Sequence, residues 1–478
     1  SYMELAVVES YYASGALAIY RFTGKEVYLM ADLDEMNKVK ADTIDKWKAG
    51  TETPDNKWIG ATKFAGTFNG QMYTISGIYL NTTAAGGGLF GEITATGVVK
   101  NLYIKDSLFK STAGKVGSVA GISYGTISTV YSNADVISNQ TMAGGIVGNM
   151  KDTASVDTCW YAGDMKLSTK NGKQAGGIVG YIDKGAANIN VSIMDCLYTG
   201  NITFEASDAT WALRIGGIVG GAHDYRVPTI NLENCVSAGT ITQSPSSANH
   251  LGVSAVYGGL DGAQATALNF VNVYAIKGCF VEERIYDKKV NGPKVTGTGL
   301  FKEKTDLQGV NGYQNTLLDF EDTWVAREGD VPALKAFTNE IGTVADLTGV
   351  EQNNWYNSSE TVFGISSASA LKSLATYTDA THKITFKDKT IYLLDDIEIN
   401  KVEEGTLAAW KAGTGTLPTS WAPIGVGEAF NGTFDGNNHT ISGLYGFKTG
   451  VHEKRGGLGL FTDTKETATI QNVSIANT

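Results

Sequence analysis

The sequence has little of what several common classes of protein require. Among 478 residues there are 7 prolines, 5 histidines and 4 cysteines, and lysine and arginine together number 38 against 49 acidic residues. The net charge of −11 and the lack of a basic run argue against binding to nucleic acid or to an anionic membrane surface, because both need a basic face. The longest apolar stretches, such as residues 215–221, are far below the roughly 18 residues that cross a bilayer, so we predict no membrane insertion.

The few cysteines form no recognisable metal motif. Cys159, Cys196, Cys235 and Cys279 lack the spacings of zinc sites, and three of them fall on a repeat position. We interpret them as small core residues and expect no metal and no cofactor. The opening residues SYMELAVVESYY carry acids where a signal peptide needs cations, which is typical of a mature or trimmed fragment.

Glycine is abundant, with 58 residues, and much of it forms a repeat. Related units begin at residues 87 (GGLFG), 117 (GSVAG) and 144, 176 and 216 (GGIVG), so they are 27 to 40 residues apart. This spacing is close to one coil of a parallel β-helix plus a variable loop, whereas the blades of a β-propeller, the alternative, usually need about 40 residues. We predict an all-β fold, a right-handed parallel β-helix (solenoid).

A second column follows each glycine-rich stretch, with the pattern apolar, any residue, small polar, apolar. Its polar members are Asn101, Thr129, Thr158, Asp195, Asn234 and Asn272. Two apolar residues three positions apart fall on opposite faces of a regular strand, so we expect a tight turn at the polar residue. Stacked side chains are predicted to form a ladder there. The glycines should permit positive φ and close backbone approach, so alanine at Gly145 or Gly177 is predicted to be destabilising.

A larger duplication frames this array, because residues 22–104 recur at 386–475. The segment GTFNGQMYTISGIY at 66–79, for example, corresponds to GTFDGNNHTISGLY at 432–445. We predict two tandem modules with short helical N-terminal caps, the second incomplete. The first covers 1–337, with a cap at about 1–50, coils at about 58–280 and a closing segment at 281–337; a linker covers 338–362, and the second module 363–478. The last coil looks uncapped, so we expect the intact protein to be longer.

The GGIVG units, each followed by an Asn-Cys or Asp-Cys step, and the FNGTFDGNNHTISGLY segment resemble the GLUG-motif proteins. These are large, repetitive, secreted or cell-surface bacterial proteins often described as adhesin-like. The resemblance covers about 22–335 and 366–478. It implies secretion and surface display, extracellular or at the surface of a bacterium, and it brings no shared catalytic residues.

Two columns beside the turn are candidate sites. Before the turn, Asp157 and Glu233 are expected on one face two coils apart, about 9.6 Å, near the upper limit for an inverting carboxylate pair. A solvent-facing column in an acidic protein often holds two acids by chance.

After the turn, a column of aromatic residues is expected to face outward and bind a ligand, although a loop of the same chain could cover it. Its members are Tyr103, Tyr131, Trp160 and Tyr274.

Acidic residues recur in both modules, as Asp32 and Asp34 in the first and Asp396 and Glu398 in the second. Paired carboxylates suit Ca²⁺. A structural end cap explains the recurrence equally well.

Three functions are compatible with these observations. The first is a non-enzymatic, adhesin-like surface protein that presents a binding face to a glycan or to a host or cell-surface protein. The second is a secreted polysaccharide-degrading enzyme that uses Asp157 and Glu233. The third is a structural spacer of a larger surface protein.

Overall fold

The computed structural model describes residues 22–34, 36–40, 42–60, 63–139, 142–168, 174–183, 190–205, 214–223, 229–243, 252–261, 267–280, 285, 294–296, 299–347, 361–403, 405–414, 418, 420–446 and 459–477. Parts of the predicted cap and linker, residues 1–21 and 348–360, lie outside this description. The chain divides into two compact units. The first comprises residues up to Lys304 together with Ala336–Thr338, and the second comprises Thr305–Lys335 and Asn339–Thr478.

This division differs from the predicted one at the closing segment. We predicted that residues 281–337 close the first module, yet Thr305–Lys335 belongs to the second unit. The reason is visible at Leu317, which packs into the second core beside Phe363 and Leu371. After Lys304 the chain contributes only Ala336–Thr338 to the first unit.

Four parallel sheets build the first unit, and successive coils add strands to them in the same order. Sheet 1 contains Glu26–Tyr28, Thr67–Ser76, Val98–Lys105, Thr126–Ser132, Ser155–Tyr161, Asn190–Met194, Leu197–Tyr198, Thr229–Glu233, Val236–Ser237, Ala267–Val271, Val273–Ile276, Lys294–Thr296 and Gly299–Lys302. Sheet 2 contains Tyr79–Thr82, Leu108–Ser111, Asp135–Ser138, Asp164–Leu167, Asn201–Phe204 and Thr240–Gln243.

The other two sheets carry the glycine-rich units. Sheet 3 contains Gly86–Gly87, Lys115–Val116, Met142–Gly144, Gln174–Gly176, Arg214–Gly216 and Val253–Ser254. Sheet 4 contains Lys63–Phe64, Phe90–Ile93, Ala120–Ser123, Val147–Met150, Val179–Ile182, Val219–His223 and Leu260–Asp261.

The core of the first unit lies inside the coils, where equivalent apolar residues are stacked. In sheet 1 the register places Val99, Ile127 and Val156 next to one another, and none is more than 1% exposed. Because strand residues alternate between two faces, this leaves the intervening residues pointing outward. Each buried aliphatic side chain contributes roughly 1.5–3 kcal/mol. The fold is therefore all-β, parallel and β-helix-like, in agreement with the prediction at that level.

Helix α1 (Thr43–Ala49) covers the outer face of sheet 2 at its first strands. Trp47 is 2% exposed, and its ring meets that of Tyr79 edge-on with 5.4 Å between the ring centroids. The same cluster includes Leu108 and Ile137. The next residue, Lys48, forms an ion pair of 2.7 Å with Asp135. The helix therefore covers the outer face of sheet 2 at these strands.

The second unit repeats the parallel arrangement on a smaller scale. Its four-stranded sheet contains Val362–Ile365, Thr390–Leu393, Thr433–Asp435 and Thr469–Gln471, and its three-stranded sheet contains Ile397–Glu398, Thr440–Ser442 and Ser474–Ala476. Trp324–Arg327 and Asp330–Leu334 form an antiparallel pair. The α-helices of the second unit are α2 (Gly309–Asn315), α3 (Ala368–Tyr377) and α4 (Thr406–Ala412). Short 3₁₀ helices cover Lys304–Leu307 and Thr338–Glu340.

Helix α3 lies near the start of the predicted second module, 363–478, where a short helical cap is expected. The hydroxyl of its N-cap, Ser367, accepts a hydrogen bond of 3.2 Å from the backbone N–H of Ala370, which satisfies one of the free donors of the first turn. With 10 residues it is the longest helix in the described part of the chain, where no helix is long and apolar enough to span a bilayer.

The opening coil, residues 22–80 in the first unit and 386–445 in the second, forms the same contacts twice. Asn37 and Asn400 each donate a side-chain hydrogen bond of 2.8 Å to a glycine carbonyl, that of Gly77 or Gly443. The indole N–H groups of Trp58 and Trp421 donate to the carbonyl oxygens of Leu89 and Leu460, at 3.0 and 3.4 Å. The duplication in the sequence thus extends to individual hydrogen bonds.

Candidate functional site

The six polar residues of the turn column all adopt a left-handed backbone conformation. The φ angle is 57° at Asn101, 55° at Thr129, 49° at Thr158, 48° at Asp195, 49° at Asn234 and 51° at Asn272. The turn lets the apolar residues on both sides of it reach the core, as Ile127 and Val130 do around Thr129, both at 0% exposure. Apart from glycine, asparagine and aspartate adopt positive φ more readily than other residues, which is consistent with a small polar side chain at this position.

Hydrogen bonds connect parts of the turn column from coil to coil. Asn272 Nδ2 donates to Asn234 Oδ1 at 2.9 Å, and Asn101 Nδ2 donates to Asn69 Oδ1 of the opening coil at 3.1 Å. The hydroxyl of Thr158 donates instead to its own neighbour, Asp157 Oδ1, at 3.0 Å. Amide pairs therefore form where asparagines are adjacent, at the two ends of the column.

The repeat glycines are needed because the backbone of the next coil comes close. A β-carbon on Gly145 would lie 2.1 Å from the carbonyl oxygen of Gly177 and 2.2 Å from Cγ of Tyr161. On Gly177 it would lie 2.2 Å from the oxygen of Gly217. Neither Gly145 nor Gly177 is among the residues with positive φ. Of the two predicted roles, close approach is right and positive φ is wrong at these positions.

The aromatic column, predicted to face outward and bind a ligand, is buried. Tyr103, Tyr131, Trp160 and Tyr274 are 2%, 5%, 4% and 3% exposed. The prediction of an exposed column is therefore wrong, because a segment of the same chain lies against it. That segment contributes Phe337, whose ring centroid is 5.6, 6.0 and 6.4 Å from those of Tyr103, Tyr131 and Trp160.

We call the three residues Tyr103, Tyr131 and Trp160 the aromatic slot. Their rings are 5.7 and 5.2 Å apart in sequence order, and Phe337 closes the slot from outside. The ammonium of Lys105 lies 5.1 Å from the ring centroid of Tyr103, a cation–π contact at the rim. The slot is therefore a packed part of the first unit and is closed to a sugar ring.

The carboxylate pair lies where the pattern placed it. The strand register puts Met194 beside Asp157 on one side and beside Glu233 on the other, so the two acids share a face of sheet 1 two coils apart. Burial raises the pKa of Asp157, although hydrogen bonds from the hydroxyl and the backbone of Thr158 oppose the rise. A carboxyl with a raised pKa can act as a general acid toward a bound substrate.

Three of the four acids proposed for calcium accept backbone hydrogen bonds within the fold. Asp32 Oδ1 accepts from the backbone N–H of Thr74 at 2.7 Å, and Asp396 Oδ1 accepts from that of Thr440 at 2.6 Å. Glu398 accepts from the backbone of Val402, and Asp34 is exposed. Across the described residues, no three or more His, Cys, Asp or Glu side chains group as metal ligands would. This geometry favours the end-cap interpretation.

The cysteines behave as core residues. Cys159, Cys196 and Cys235 are 0% exposed, all four cysteines are free, and Cys279 is half-buried. In each of the three buried residues the thiol donates to a carbonyl oxygen two residues earlier, at 3.0 to 3.1 Å. Burial raises the pKa of the Cys159 thiol, which keeps it protonated and unreactive.

Sheet 2 carries a polar surface that sequence reasoning missed. We call it the polar stripe: Asp164, Lys166, Asn201, Thr203, Thr240 and Thr242, on the last three strands of the sheet. These side chains are exposed or half-exposed, while the residues between them are buried. The signal that could have found it is the polar–apolar alternation in DMKL and NITF, which continues through the first three residues of TITQ.

Hydrogen bonds fix the polar stripe along the stack of strands. Asn201 Nδ2 donates to Asp164 Oδ1 at 2.7 Å, and the hydroxyl of Thr240 donates to Asn201 Oδ1 at 2.5 Å. The hydroxyls of Thr203 and Thr242 are 3.4 Å apart. The backbone register makes Asp164, Asn201 and Thr240 direct neighbours, so their side chains are held in fixed positions along the sheet.

Comparison with known proteins gives two distant likenesses, and no family model matches the chain. An alignment of 155 positions with halomucin of Haloquadratum walsbyi is 28% identical and covers 28% of this chain and 2% of halomucin. A Bacteroides ovatus crystal structure, described as that of a candidate immunoglobulin A1 protease, aligns with a TM-score of 0.45 and 17% identity. That alignment covers 67% of this chain and 89% of the other.

Proposed function

We propose that the protein is a non-enzymatic, extracellular module of the adhesin type, a right-handed solenoid that binds a glycan through the polar stripe. One observation carries the proposal: six polar side chains are held in register on a sheet face with their apolar neighbours buried. The resemblance of the GGIVG units to the GLUG-motif proteins supports secretion and surface display. Because the aromatic column that the sequence favoured is buried, we place the binding face on the polar stripe instead.

The chemistry of the polar stripe suits a hydroxyl-rich ligand. Asn201 offers both donors and acceptors, the threonines offer hydroxyls that can do either, and Asp164 and Lys166 cancel in charge. A ligand rich in hydroxyl groups can exchange hydrogen bonds with such a surface without bringing a charge of its own. Because neighbouring strands are about 4.8 Å apart, consecutive sugars of a linear, uncharged glycan could each meet one strand.

A glycan array tests this proposal, followed by titration of the best glycan by calorimetry. The variant Asn201→Ala/Thr203→Ala/Thr242→Ala removes three side chains of the polar stripe and should weaken binding at least tenfold. The matched control is Asn231→Ala/Asn269→Ala, which removes the hydrogen-bonded asparagine pair of sheet 1. Equal loss in both variants, or no binding to any glycan, would contradict the proposal. Binding only to a protein partner would leave a structural or protein-binding role.

A second candidate, a secreted polysaccharide-degrading enzyme, is favoured by the shared face of Asp157 and Glu233. In that case Asp157, with its raised pKa, protonates the leaving oxygen and Glu233 activates a water. Reducing-end release from a panel of polysaccharides, abolished in Glu233→Gln and retained in the control Ser128→Ala, would support it. A panel with no release at any substrate would eliminate it.

A further inference from the structure

Helix α1 stands directly beside the polar stripe, at the side of the stripe that faces the earlier coils. Leu108 and Ile137 are buried in one cluster with the helix, at 0% and 6% exposure. Ile137 is the in-register neighbour of Lys166, whose side chain is exposed on the next strand. The outer face of sheet 2 therefore changes from covered to open between two adjacent strands, which lie about 4.8 Å apart.

Asp135 connects the helix to the stripe. Its Oδ2 pairs with the ammonium of Lys48 at 2.7 Å, and its Oδ1 accepts a hydrogen bond of 3.1 Å from the backbone N–H of Asp164. These contacts hold the last turn of helix α1 against the first strand of the stripe. A helix with its side chains is about 10 Å across, so helix α1 forms a step of roughly that height on the sheet. We call this junction the closed end of the stripe.

The groups at the closed end suit a ligand without charge. The negative charges belong to Asp45, Asp135 and Asp164, and Asp45 pairs with Lys48 at 2.8 Å. The positive charges belong to Lys48 and Lys166, so these acids outnumber these bases and a carboxylate on the ligand would meet no excess of positive charge.

The ammonium of Lys48 has a donor to offer to such a ligand. An ammonium carries three N–H groups, and the carboxylates of Asp45 and Asp135 accept two of them. The third can donate to a hydroxyl oxygen. The side chain of Lys48 is 30% exposed, so a ligand that lies against the step can reach it.

We infer that the polar stripe binds the free end of a linear, uncharged glycan, with helix α1 as the step against which the terminal sugar lies and Lys48 as the residue that bonds to its hydroxyls. This rests on the proposed function, which places the glycan on the stripe. A glycan that runs along the stack of strands cannot continue past Asp164 without leaving the sheet, whereas a chain end fits there. The number of sites on a glycan molecule is then set by its free ends and not by its length.

Calorimetric stoichiometry on the unmodified full chain tests this inference. The best glycan of the array is prepared as monodisperse oligomers of increasing length and as the long polymer. End binding predicts one protein per glycan molecule at every length. A stoichiometry that rises in proportion to length would overturn the inference and leave the proposed function intact. Binding to no glycan at all would overturn both.

Two lysines of helix α1 allow a matched test of the terminal contact. Lys48→Met keeps the apolar stem and removes the donors, so affinity for a short oligomer should fall by about tenfold or more, as expected when a hydrogen bond from a charged donor is lost. The control Lys46→Met removes a lysine that pairs with Asp42 at 2.8 Å, and should leave affinity unchanged. Equal losses in both variants, or no loss in Lys48→Met, would overturn the role of Lys48.

Lys48→Arg separates recognition from stability, because Lys48→Met also leaves the carboxylate of Asp135 without its partner. Arginine keeps the charge and the donors, so Lys48→Arg should bind the short oligomer within about threefold of the parent chain. Thermal unfolding of the three variants shows whether the first unit stays folded. If Lys48→Arg is folded and yet binds as weakly as Lys48→Met, the donors of Lys48 do not recognise the chain end, which would overturn its role.

Discussion

Asn272 and Asn234 lie on neighbouring coils, share nearly the same positive φ, 51° and 49°, and are joined by a side-chain hydrogen bond of 2.9 Å. The asparagine side chain thus serves two purposes. It tolerates the left-handed turn, and it ties that turn to the one on the neighbouring coil. A threonine at the same position serves the first purpose less well, because β-branched side chains are strained at positive φ.

The turn column therefore contains positions that can be improved. Thr129→Asn should stabilise the first unit by about 0.5–1 kcal/mol, because asparagine relieves the strain at φ 55° and stands beside Asn101. Chemical denaturation measures the change. Thr126→Asn, on the same strand but outside the turn, is the control and should not stabilise. A loss of stability in Thr129→Asn would mean that the threonine hydroxyl contributes more than its strain costs.

Alanine at Gly145 should destabilise the first unit by about 3 kcal/mol or more, since the added carbon meets backbone that cannot move without separating two coils. The control is Gly278→Ala. That glycine has φ 76° and open space around it, so only backbone strain of about 1 kcal/mol is expected. Urea unfolding measures the loss of stability in both variants. Similar losses in the two would mean that close backbone approach is not the reason for glycine at the repeat position.

Phe337→Ala should open the aromatic slot. Removing a buried phenylalanine costs about 3–5 kcal/mol where the cavity cannot collapse. The ring lies 6.4 Å from that of Trp160, so tryptophan fluorescence should shift and acrylamide quenching should increase. Phe337→Leu, which keeps most of the volume, should show a smaller shift. Unchanged quenching in Phe337→Ala would mean that Phe337 does not protect the slot.

Asp157→Asn should be more stable than the parent chain at neutral pH. Burial raises the pKa of Asp157 in the folded state, so the folded protein holds the proton more tightly and loses stability as pH rises from the ordinary value of 3.8 through the raised one. Asparagine imitates the protonated form and can still accept from Thr158. The gain should stay below about 1 kcal/mol because solvent screens the group, and it should vanish at pH below about 3. A gain that is the same at every pH would show that titration is not its source.

Asp435 should give the second unit a pH dependence of the opposite sign. Burial acts to raise the pKa of Asp435, but hydrogen bonds from Asn437, Gln471 and Asn472 outweigh it and hold the pKa below its usual value. Its contribution to stability is therefore complete above pH 3.8 and is lost as the pH falls through the lowered pKa. Asp435→Asn should flatten the acid limb of the unfolding profile measured between about pH 5 and pH 2.

The equivalent residue of the first unit provides a matched test. Asn69 accepts a hydrogen bond from Asn101 as Asp435 does from Asn472. Asn69→Asp should therefore transfer the acid dependence to the first unit. If neither Asp435→Asn nor Asn69→Asp changes the loss of stability at acid pH, other carboxylates cause that loss.

Much of the fold could be predicted because its determinants are local and repeated. The apolar residues around Thr129 and Thr158 and the polar turn between them recur in every coil, so one short pattern fixes strand, turn and inward face. The burial of Trp160 could not be predicted this way. The residue that covers it, Phe337, is far away in sequence and matches no repeat. The role of Gly145 was ambiguous because positive φ and close packing favour the same residue.

The polar stripe escaped notice for a related reason. Its alternation begins only at Asp164, because the equivalent positions of the earlier coils mix polar and apolar residues: Leu108 and Asp135 at the first position, and Lys110 and Ile137 at the second. Leu108 and Ile137 pack with helix α1. A column that changes character partway along the stack does not stand out as a repeat. Likewise, nothing in the pattern of Thr305–Lys335 shows that Leu317 packs with the second core.

The parallel register of sheet 1 pairs each strand with the corresponding strand of the coil before and the coil after it. Interactions therefore run from neighbour to neighbour, and a disturbance at one coil weakens two interfaces and leaves the others intact. Under a pulling force such a stack should give way one coil at a time from an end, lengthening in steps of about 30 to 40 residues. The three strands that carry the polar stripe lie in consecutive coils, so they should unfold one after another and not together.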